Sequence, residues 1–282
     1  MQPYATYEHL NNLDLWSEMG HISLDEMRAV KLMNRIDTKF ILDQESVITL
    51  LKEASLLGYR VQTNDGSFAY RYATLYFDTE ERAMYVAHHN QQLNRQKIRT
   101  RRYVESGTTF IEVKDKNNRG RTNKRRIEIP AKNFADFRTS DKANDFVSAI
   151  SRHDITTLSA SLSTRFVRIT LVNPKLSERI TIDLDLRYED VRSGRSAEVK
   201  GMAIAELKQD GRVDSTTKCL LSQMGIKPFK VSKYCLGTAL TVEGIKRNRM
   251  LEKIRANEKR LGYNRIVLTS LNRKPIDYAW TQ

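Results

Sequence analysis

Residues 95–129, RQKIRTRRYVESGTTFIEVKDKNNRGRTNKRRIEI, carry charge where a β-strand normally carries its apolar face. Because side chains alternate between the two faces of a strand, three runs in this stretch each predict one charged face. These faces carry Lys97, Arg99, Arg101 and Tyr103 in the first run, Glu112, Lys114 and Lys116 in the second, and Lys124, Arg126 and Glu128 in the third. Asn117, Asn118 and Gly120 predict a turn between the second and third runs.

Two interpretations of this alternation are open. An antiparallel sheet with one face in water shows the same pattern over an ordinary apolar core. Alternatively, the charged face lines the inside of a barrel. Burying an unpaired ion costs several kcal/mol, so a row of inward cations is tolerable only in a hydrated channel that binds a polyanion. Recurrence of the pattern elsewhere in the chain decides between the two.

The charged face does recur in other predicted strands, over residues 35–39, 179–185 and 198–208. A further strand over 164–172 needs a bulge or one outward arginine, because Arg165 and Arg168 differ in parity. Closure into a barrel would remove the edges that so many strands expose in a flat sheet. The sequence therefore predicts an α+β fold, a closed antiparallel β-barrel with flanking helices.

Helices are predicted from an Asp43 cap to Gly58, over residues 131–152, from an Asp214 cap to about Met224, after a Ser232 cap, and in the basic tail through Leu261. These assignments rest on apolar spacing and on residues that favour helix ends. The helix in the tail is interpreted either as a solvated helix packed on the barrel or as a contact with acidic lipid or emerging product.

Composition limits the classes of function. The 282 residues include 48 Lys and Arg against 34 Asp and Glu, a formal charge of +14, which points to an anionic partner. Cys219 and Cys235 give neither a disulfide framework nor metal-ligand spacing, so a reduced cytoplasmic setting is expected. No apolar run approaches the length of a membrane span, and the N-terminus shows no signal pattern. No Walker-type phosphate loop occurs, which argues against a P-loop nucleotidase.

Nine short motifs occur in one order along the chain. They are Arg35-x-Asp37-x-Lys39-Phe40, Tyr76-Phe77-Asp78, Lys97-x-Arg99-x-Arg101-Arg102-Tyr103, Glu112-x-Lys114, Lys124-x-Arg126, Arg168, Arg179-x-x-x-Asp183, Glu206-x-Lys208 and Ser232-Lys233-Tyr234. Together, over roughly residues 30–240, they resemble the VTC domain, the polyphosphate polymerase branch of the triphosphate tunnel metalloenzymes. The resemblance implies a closed barrel with a basic tunnel. It also implies transfer of the terminal phosphate of ATP to a growing polyphosphate chain with a divalent metal, Mn²⁺ or else Mg²⁺.

The same resemblance assigns roles to individual residues. The implied phosphate-binding residues are Lys39, Arg99, Arg101, Lys114, Lys124, Arg168, Arg179 and Lys233. Among them Arg99, Arg101, Lys114 and Lys233 are implied as catalytic, and Glu206 as the metal ligand. Arg126 and Lys208 are further candidates, and Glu112, Glu128, Asp183 and Asp185 are expected to pair with cations.

One departure from the wider superfamily bears on the reaction. Its hydrolytic members begin with Glu-x-Glu-x-Lys, where this chain has Arg35 and Asp37. Exchanging a carboxylate for a cation weakens a multi-carboxylate metal site and strengthens retention of a polyanion. The departure therefore favours the polymerase over a hydrolase.

The resemblance also suggests the organisation and the partners. We expect an N-terminal segment with a short helix over residues 1–33, a VTC-type tunnel domain over 34–243 and a basic, partly helical tail over 244–282. ATP and polyphosphate are the expected ligands, with no nucleic acid. A cytoplasmic location, peripheral at the membrane beside a membrane-protein partner, is the corresponding expectation for the cell.

Two other functions stay open. One is a tunnel triphosphatase that hydrolyses ATP or tripolyphosphate, and the other is a non-catalytic module that binds a polyanion or RNA. An RNA binder would show exposed aromatic platforms among its basic residues. The aromatic residues of this chain are expected to lie largely inside strands, which leaves net charge as the support for the third function.

Overall fold

A curved antiparallel sheet flanked by helices forms the centre of the computed structural model, which describes residues 6–29, 35–119, 121–211, 214–261 and 266–269. Its strands are β1 (Gly20–Ile22), β2 (Arg35–Asp43), β3 (Arg60–Gln62), β4 (Ala69–Asp78), β5 (Arg95–Tyr103), β6 (Thr109–Lys116), β7 (Thr122–Ile129), β8 (Ser159–Val172), β9 (Glu178–Asp190), β10 (Ser196–Val199), β11 (Met202–Asp210) and β12 (Ile266–Thr269). β1 pairs with β3 in parallel, and the other strand pairs are antiparallel.

The helices are α1 (Tyr7–Asn11), α2 (Leu24–Ala29), α3 (Gln44–Leu56), α4 (Ala83–His89), α5 (Asp141–Ser148), α6 (Thr216–Gln223), α7 (Lys233–Thr241) and α8 (Asn248–Leu261). Short 3₁₀ turns occupy Asp14–Ser17, Ala131–Asn133, Phe137–Thr139 and Ile155–Thr157. Caps fix several helix starts. The Asp43 carboxylate accepts a hydrogen bond from the Ser46 backbone N–H at 2.7 Å, as expected for the N-cap of α3. No helix in the described part of the chain combines the length and the apolar character that crossing a membrane requires.

The sheet is not closed into a barrel, so this prediction is wrong. Its main strand order is β12-β10-β9-β8-β4-β5-β6-β7, and β11 joins β9 to β2. Among the described strands, β2 pairs with β11 alone and β7 with β6 alone. One physical reason lies at the free edge of β2, where an irregular segment occupies part of the edge that a closing strand would need: the Phe229 N–H donates to the Lys39 carbonyl at 2.7 Å.

Two large apolar clusters lie against this sheet, and much of each is on the face opposite the charges. Ile111 and Val113 alternate with Glu112 and Lys114 on β6 and belong to the first cluster. The second cluster joins β2, β8, β9 and β11 to α3 and α6. The sheet therefore has the charged face on one side and much of the apolar core on the other.

Helix α7 packs against β8 and β9, and it does so closely because it contains a glycine. A Cβ added at Gly237 would lie 2.4 Å from the ring of Tyr188 and 2.8 Å from Leu162. Tyr234 of the same helix stacks on Tyr76 of β4 at 4.8 Å between centroids. This packing places Lys233, the first residue of α7, at the charged face.

Three predicted elements differ from those observed. The helix expected over 131–152 is two 3₁₀ turns followed by α5, because Phe134 and Phe137 are both buried in the core within this short stretch. The strand expected over 198–208 is split into β10 and β11 at Gly201, whose φ is +67°. The cap of α6 is Ser215 rather than Asp214, since its hydroxyl accepts from the Lys218 N–H at 3.0 Å.

Candidate phosphate-binding site

The strand registers bring the predicted site residues onto one face of the sheet, here called the charged face. It carries Lys39 on β2, Arg99 and Arg101 on β5, Lys114 on β6, Lys124 on β7, Arg168 on β8, Arg179 on β9 and Glu206 on β11, joined by Lys233 of α7. Direct cross-strand neighbours are Arg99 and Glu112, Lys114 and Lys124, Arg168 and Asp183, and Glu206 and Lys39. Residues from sequence-distant strands thus surround one space.

A first ion cluster is centred on Glu112, whose side chain is 1% exposed. Arg99 contacts Glu112 Oε2 through Nε at 2.7 Å and Nη2 at 2.6 Å, and Lys124 Nζ lies 2.5 Å from Oε1. Burial alone would raise the pKa of Glu112, but the charges of Arg99, Arg101 and Lys124 hold this pKa well below its ordinary value. The carboxylate therefore stays ionised as a counter-ion for the cations around it.

A second cluster is centred on Asp183. Arg168 donates to it from Nε at 2.5 Å and from Nη2 at 2.8 Å, and Lys233 Nζ donates to its Oδ2. Burial lowers the pKa of Lys233 to about 8, and the Asp183 charge only partly opposes this effect. Arg168 and Lys233 also lie over the ring of Phe166, at 5.3 and 4.6 Å. Both cations are therefore held in fixed positions before any ligand arrives.

Glu206 forms the third cluster and is the candidate metal ligand. Its carboxylate lies 2.6 Å from Lys208 Nζ and 3.7 Å from Lys39 Nζ. Burial opposes ionisation, yet these two lysines hold the pKa of Glu206 well below its ordinary value. No group of three or more potential metal ligands occurs in the described residues. The donor set fits a hard cation such as Mg²⁺ or Mn²⁺ that takes one carboxylate from the protein and its other ligands from phosphate and water.

Lysines without a close carboxylate line the rest of the face. Lys97 Nζ donates to the Ser232 hydroxyl at 2.8 Å, and burial with the charges of Lys39 and Arg99 lowers the pKa of Lys97 to about 8. Partial burial and the charges of Lys39 and Arg99 lower the pKa of Lys114 to about 8. The charges of Lys39 and Glu206 reach Lys114 across the space, which shows that the sheet curves around it. An anion would relieve the repulsion among these cations.

The charged face extends along the β5–β6 pair. Arg95 lies opposite Lys116, and Lys97 lies opposite Lys114. At about 3.3 Å per residue, β5 advances about 20 Å from Arg95 to Arg101. Lys97 was not assigned a phosphate-binding role from the sequence, although it shares the parity of Arg99 and Arg101.

The remaining candidates are not part of the three ion clusters, although Arg126 lies directly opposite Glu112 on β6. Arg179 is opposite Lys208 on β11. The Arg126 guanidinium lies 4.4 Å from the centre of the Phe110 ring. Arg165 and Arg168 differ in parity along β8. The β8–β9 pair contains a bulge at this point, between Arg165 and Val167. Asp185 pairs with Arg187 at 3.0 Å rather than with a cation of the charged face.

Comparison with known proteins identifies the family. The sequence model of the VTC domain matches residues 34–242, which is most of the chain. The protein therefore belongs to the VTC domain family, as its motifs predicted. A comparison with curated protein sequences gives no match.

Several solved structures resemble the fold. A putative adenylyl cyclase from Hippeastrum, described as having a dominant triphosphatase activity, is 15% identical, with a TM-score of 0.49 over 74% of this chain and 98% of its own. A putative adenylate cyclase from Vibrio parahaemolyticus is 12% identical, with a TM-score of 0.40 over 72% of this chain and 96% of its own. The PH1819 protein from Pyrococcus horikoshii is 14% identical, with a TM-score of 0.42 over 79% of this chain and 99% of its own.

Proposed function

We propose that the protein is a polyphosphate polymerase that transfers the γ-phosphate of ATP to a growing polyphosphate chain bound along the charged face. The observation that carries this proposal is the length of the row of cations on β5 and β6. Arg95, Lys97, Arg99 and Arg101 follow one another at alternate positions of β5, with Lys116 and Lys114 opposite the first two. A row of about 20 Å is longer than a triphosphate needs, and it suits an extended chain of phosphates.

The proposed roles follow from the positions of the side chains. Arg99, Arg101, Lys114 and Lys124 bind the triphosphate, while Lys39, Arg168, Arg179 and Lys233 complete the ring of cations. Arginine offers a planar fork to phosphate oxygens and lysine offers a point charge. Phosphoryl transfer depends mainly on alignment and charge neutralisation, so the site needs no covalent nucleophile.

In the proposed step, a terminal oxygen of the polyphosphate chain forms a bond to the γ-phosphorus as the bond from that phosphorus to the β–γ bridging oxygen breaks. ADP leaves with the electron pair of the broken bond. The cations around Glu112 and Asp183 neutralise charge on the transferred group. A divalent metal, when bound, supplies further neutralisation of the leaving phosphate. Glu206 would hold it, and we propose Mn²⁺ rather than Mg²⁺. Residues 34–243 are the proposed catalytic domain.

The test is to incubate the purified full chain with ATP and Mn²⁺ and to separate the products on a polyacrylamide gel. A ladder of long phosphate chains supports the polymerase. Free phosphate without a ladder would instead make the protein a triphosphatase, and tight binding of polyphosphate without turnover would make it a binding module. Arg99→Ala should lower turnover about 10²–10³-fold, because it removes one preorganised charge from the site. Arg125→Ala is the matched control, since Arg125 lies on the opposite face of β7 beside Asp115.

A further inference from the structure

A group of aromatic rings occupies the end of the charged face where the β5–β6 hairpin turns. Tyr72 stacks on Phe166 at 5.2 Å, and Tyr103 meets Tyr72 edge-on at 4.9 Å. Phe110 meets Tyr103 edge-on at 5.8 Å. Tyr72 and Phe166 are buried, whereas Tyr103 and Phe110 keep part of their surface open to solvent. Packing in the apolar core therefore does not fully account for the positions of Tyr103 and Phe110.

An arginine is placed against these outer rings. The exposed Arg126 guanidinium lies 4.4 Å from the Phe110 centroid, and its Nη1 is 3.5 Å from the Tyr103 hydroxyl. Both rings are immediate neighbours of Arg101, a residue proposed to bind the triphosphate. Phe110 lies directly opposite Arg101 across the β5–β6 pair, and Tyr103 is the next residue of β5 on the same face.

We propose that Tyr103, Phe110 and Arg126 form a binding site for the nucleobase of the nucleoside triphosphate. Bases stack on aromatic rings and on guanidinium planes, and this group offers both within one small surface. The inference rests on the proposed function, because it takes the triphosphate to lie on Arg99, Arg101 and Lys114. A nucleotide bound in this way has its base at the hairpin end and its phosphates along β5, with the γ-phosphate toward Lys97 and Lys114.

This orientation also assigns the two ends of the cation row. The nucleoside occupies the end with the aromatic rings. The growing chain then extends toward Arg95 and Lys116, which face each other at the other end of the β5–β6 pair. The nucleoside and the chain thus occupy different ends and do not compete.

The test compares two ligands that differ in the base. Dissociation constants of ATP and of inorganic tripolyphosphate are measured by calorimetry for the wild type and for Phe110→Leu, which keeps an apolar side chain but removes the π face. ATP binding should weaken about tenfold, the loss expected for one stacked base. Tripolyphosphate binding should change less than twofold, which also shows that the variant is folded. Tyr103→Leu is a second variant with the same expectation.

Tyr7→Leu is the matched control, because Arg71 lies 4.7 Å from the Tyr7 ring in a similar contact away from the charged face. Equal weakening of ATP and tripolyphosphate by Phe110→Leu, or no change in either, would overturn the base site. If Phe110→Leu weakened the binding of single-stranded RNA more than the binding of ATP, the base site would be overturned in favour of an RNA surface. If Phe110→Leu weakens binding of ATP but not of tripolyphosphate while the wild type makes no phosphate ladder, the base site is supported and the polymerase fails. If the wild type binds neither ligand, both proposals fail.

Discussion

Arg99 and Glu112 face each other across β5 and β6, with two guanidinium nitrogens of Arg99 within 2.7 Å of one carboxylate oxygen. Lys124 holds the other oxygen at 2.5 Å. The pair is nearly inaccessible on the carboxylate side and partly open on the arginine side, where 18% of the Arg99 side chain is exposed. Glu112 therefore fixes the direction in which Arg99 can present its remaining N–H groups to a ligand.

Replacing this carboxylate should lower the stability of the ligand-free protein and increase the stabilisation that a bound anion provides. Glu112→Gln removes the counter-ion of Arg99, which is partly buried, and of Lys124, which is exposed, and it therefore costs less than the about 3–5 kcal/mol of breaking a fully buried pair. We expect urea unfolding without ligand to show a loss of stability below that range. We also expect tripolyphosphate to stabilise the variant more than the wild type, because the ligand resupplies negative charge. Equal stability of the two proteins without ligand would contradict the role given to Glu112.

Three partly buried lysines predict opposite effects of pH on stability and on binding. Burial lowers the pKa of Lys97, Lys114 and Lys233 to about 8, from an ordinary value of 10.5. Between these two values the unfolded chain binds more protons than the folded protein, so the stability of the empty protein should rise with pH in that window. Phosphate favours protonated lysine, so tripolyphosphate affinity should fall as pH rises above about 8.

Urea unfolding and calorimetry from about pH 7 to about pH 9.5 check these two slopes, and buffers of different ionisation heat report the protons taken up on binding. Lys97→Met should flatten both slopes. The exposed Lys52→Met on α3 should leave them as in the wild type. An affinity that stays constant across this range would contradict the lowered pKa values, because lysines with an ordinary pKa of 10.5 stay protonated throughout it.

Metal dependence is expected to require Glu206. Glu206→Gln keeps the shape of the side chain but removes the negative oxygen that a hard cation prefers. We expect turnover of the variant to lose its stimulation by Mn²⁺, measured as rate against metal concentration. Glu198→Gln is the control, because the Glu198 carboxylate pairs with Arg187 at 3.7 Å. This variant should respond to Mn²⁺ like the wild type. A metal response unchanged by Glu206→Gln would place the ligand elsewhere.

The packing of α7 against β8 and β9 should be sensitive to one added methyl group. Gly237→Ala places a Cβ 2.4 Å from the Tyr188 ring, and such overpacking typically costs about 1–3 kcal/mol. Stability in urea should fall, and turnover should fall as well because α7 carries Lys233. Adding Tyr188→Leu makes room for the methyl group, so the double variant should lose less stability than the sum of its two single changes. Strict additivity would mean that the contact with Tyr188 is not the cause.

The alternation of charge along β5, β6 and β7 was sufficient to predict which side chains share a face, because strand parity is a local property. The caps at Asp43 and Ser232 were equally local. The pairing of Lys233 with Asp183 could not be predicted from parity, since it depends on α7 packing against β9. Local pattern also missed α4, which follows Arg82 with a φ of +58° and has two of its backbone N–H groups held by the Asp78 carboxylate.

Closure was predicted wrongly for a related reason. The sequence shows that many strands need partners, but it does not show which edges stay unpaired. At β2 part of the edge is occupied by Phe229, which belongs to an irregular segment. The charged face nevertheless surrounds a space, because its curvature brings Lys39 and Lys114 within range of each other's charge.

The excess of cations on the charged face has a practical consequence in the test tube. Inorganic phosphate, sulfate and citrate are small multivalent anions, and each would be drawn to the same lysines and arginines as the substrate. Any of them that binds the folded chain raises its apparent melting temperature by mass action. Purification and kinetics in HEPES or Tris, with chloride as the sole inorganic anion, would therefore report properties of the protein, whereas phosphate-buffered saline would report a competition.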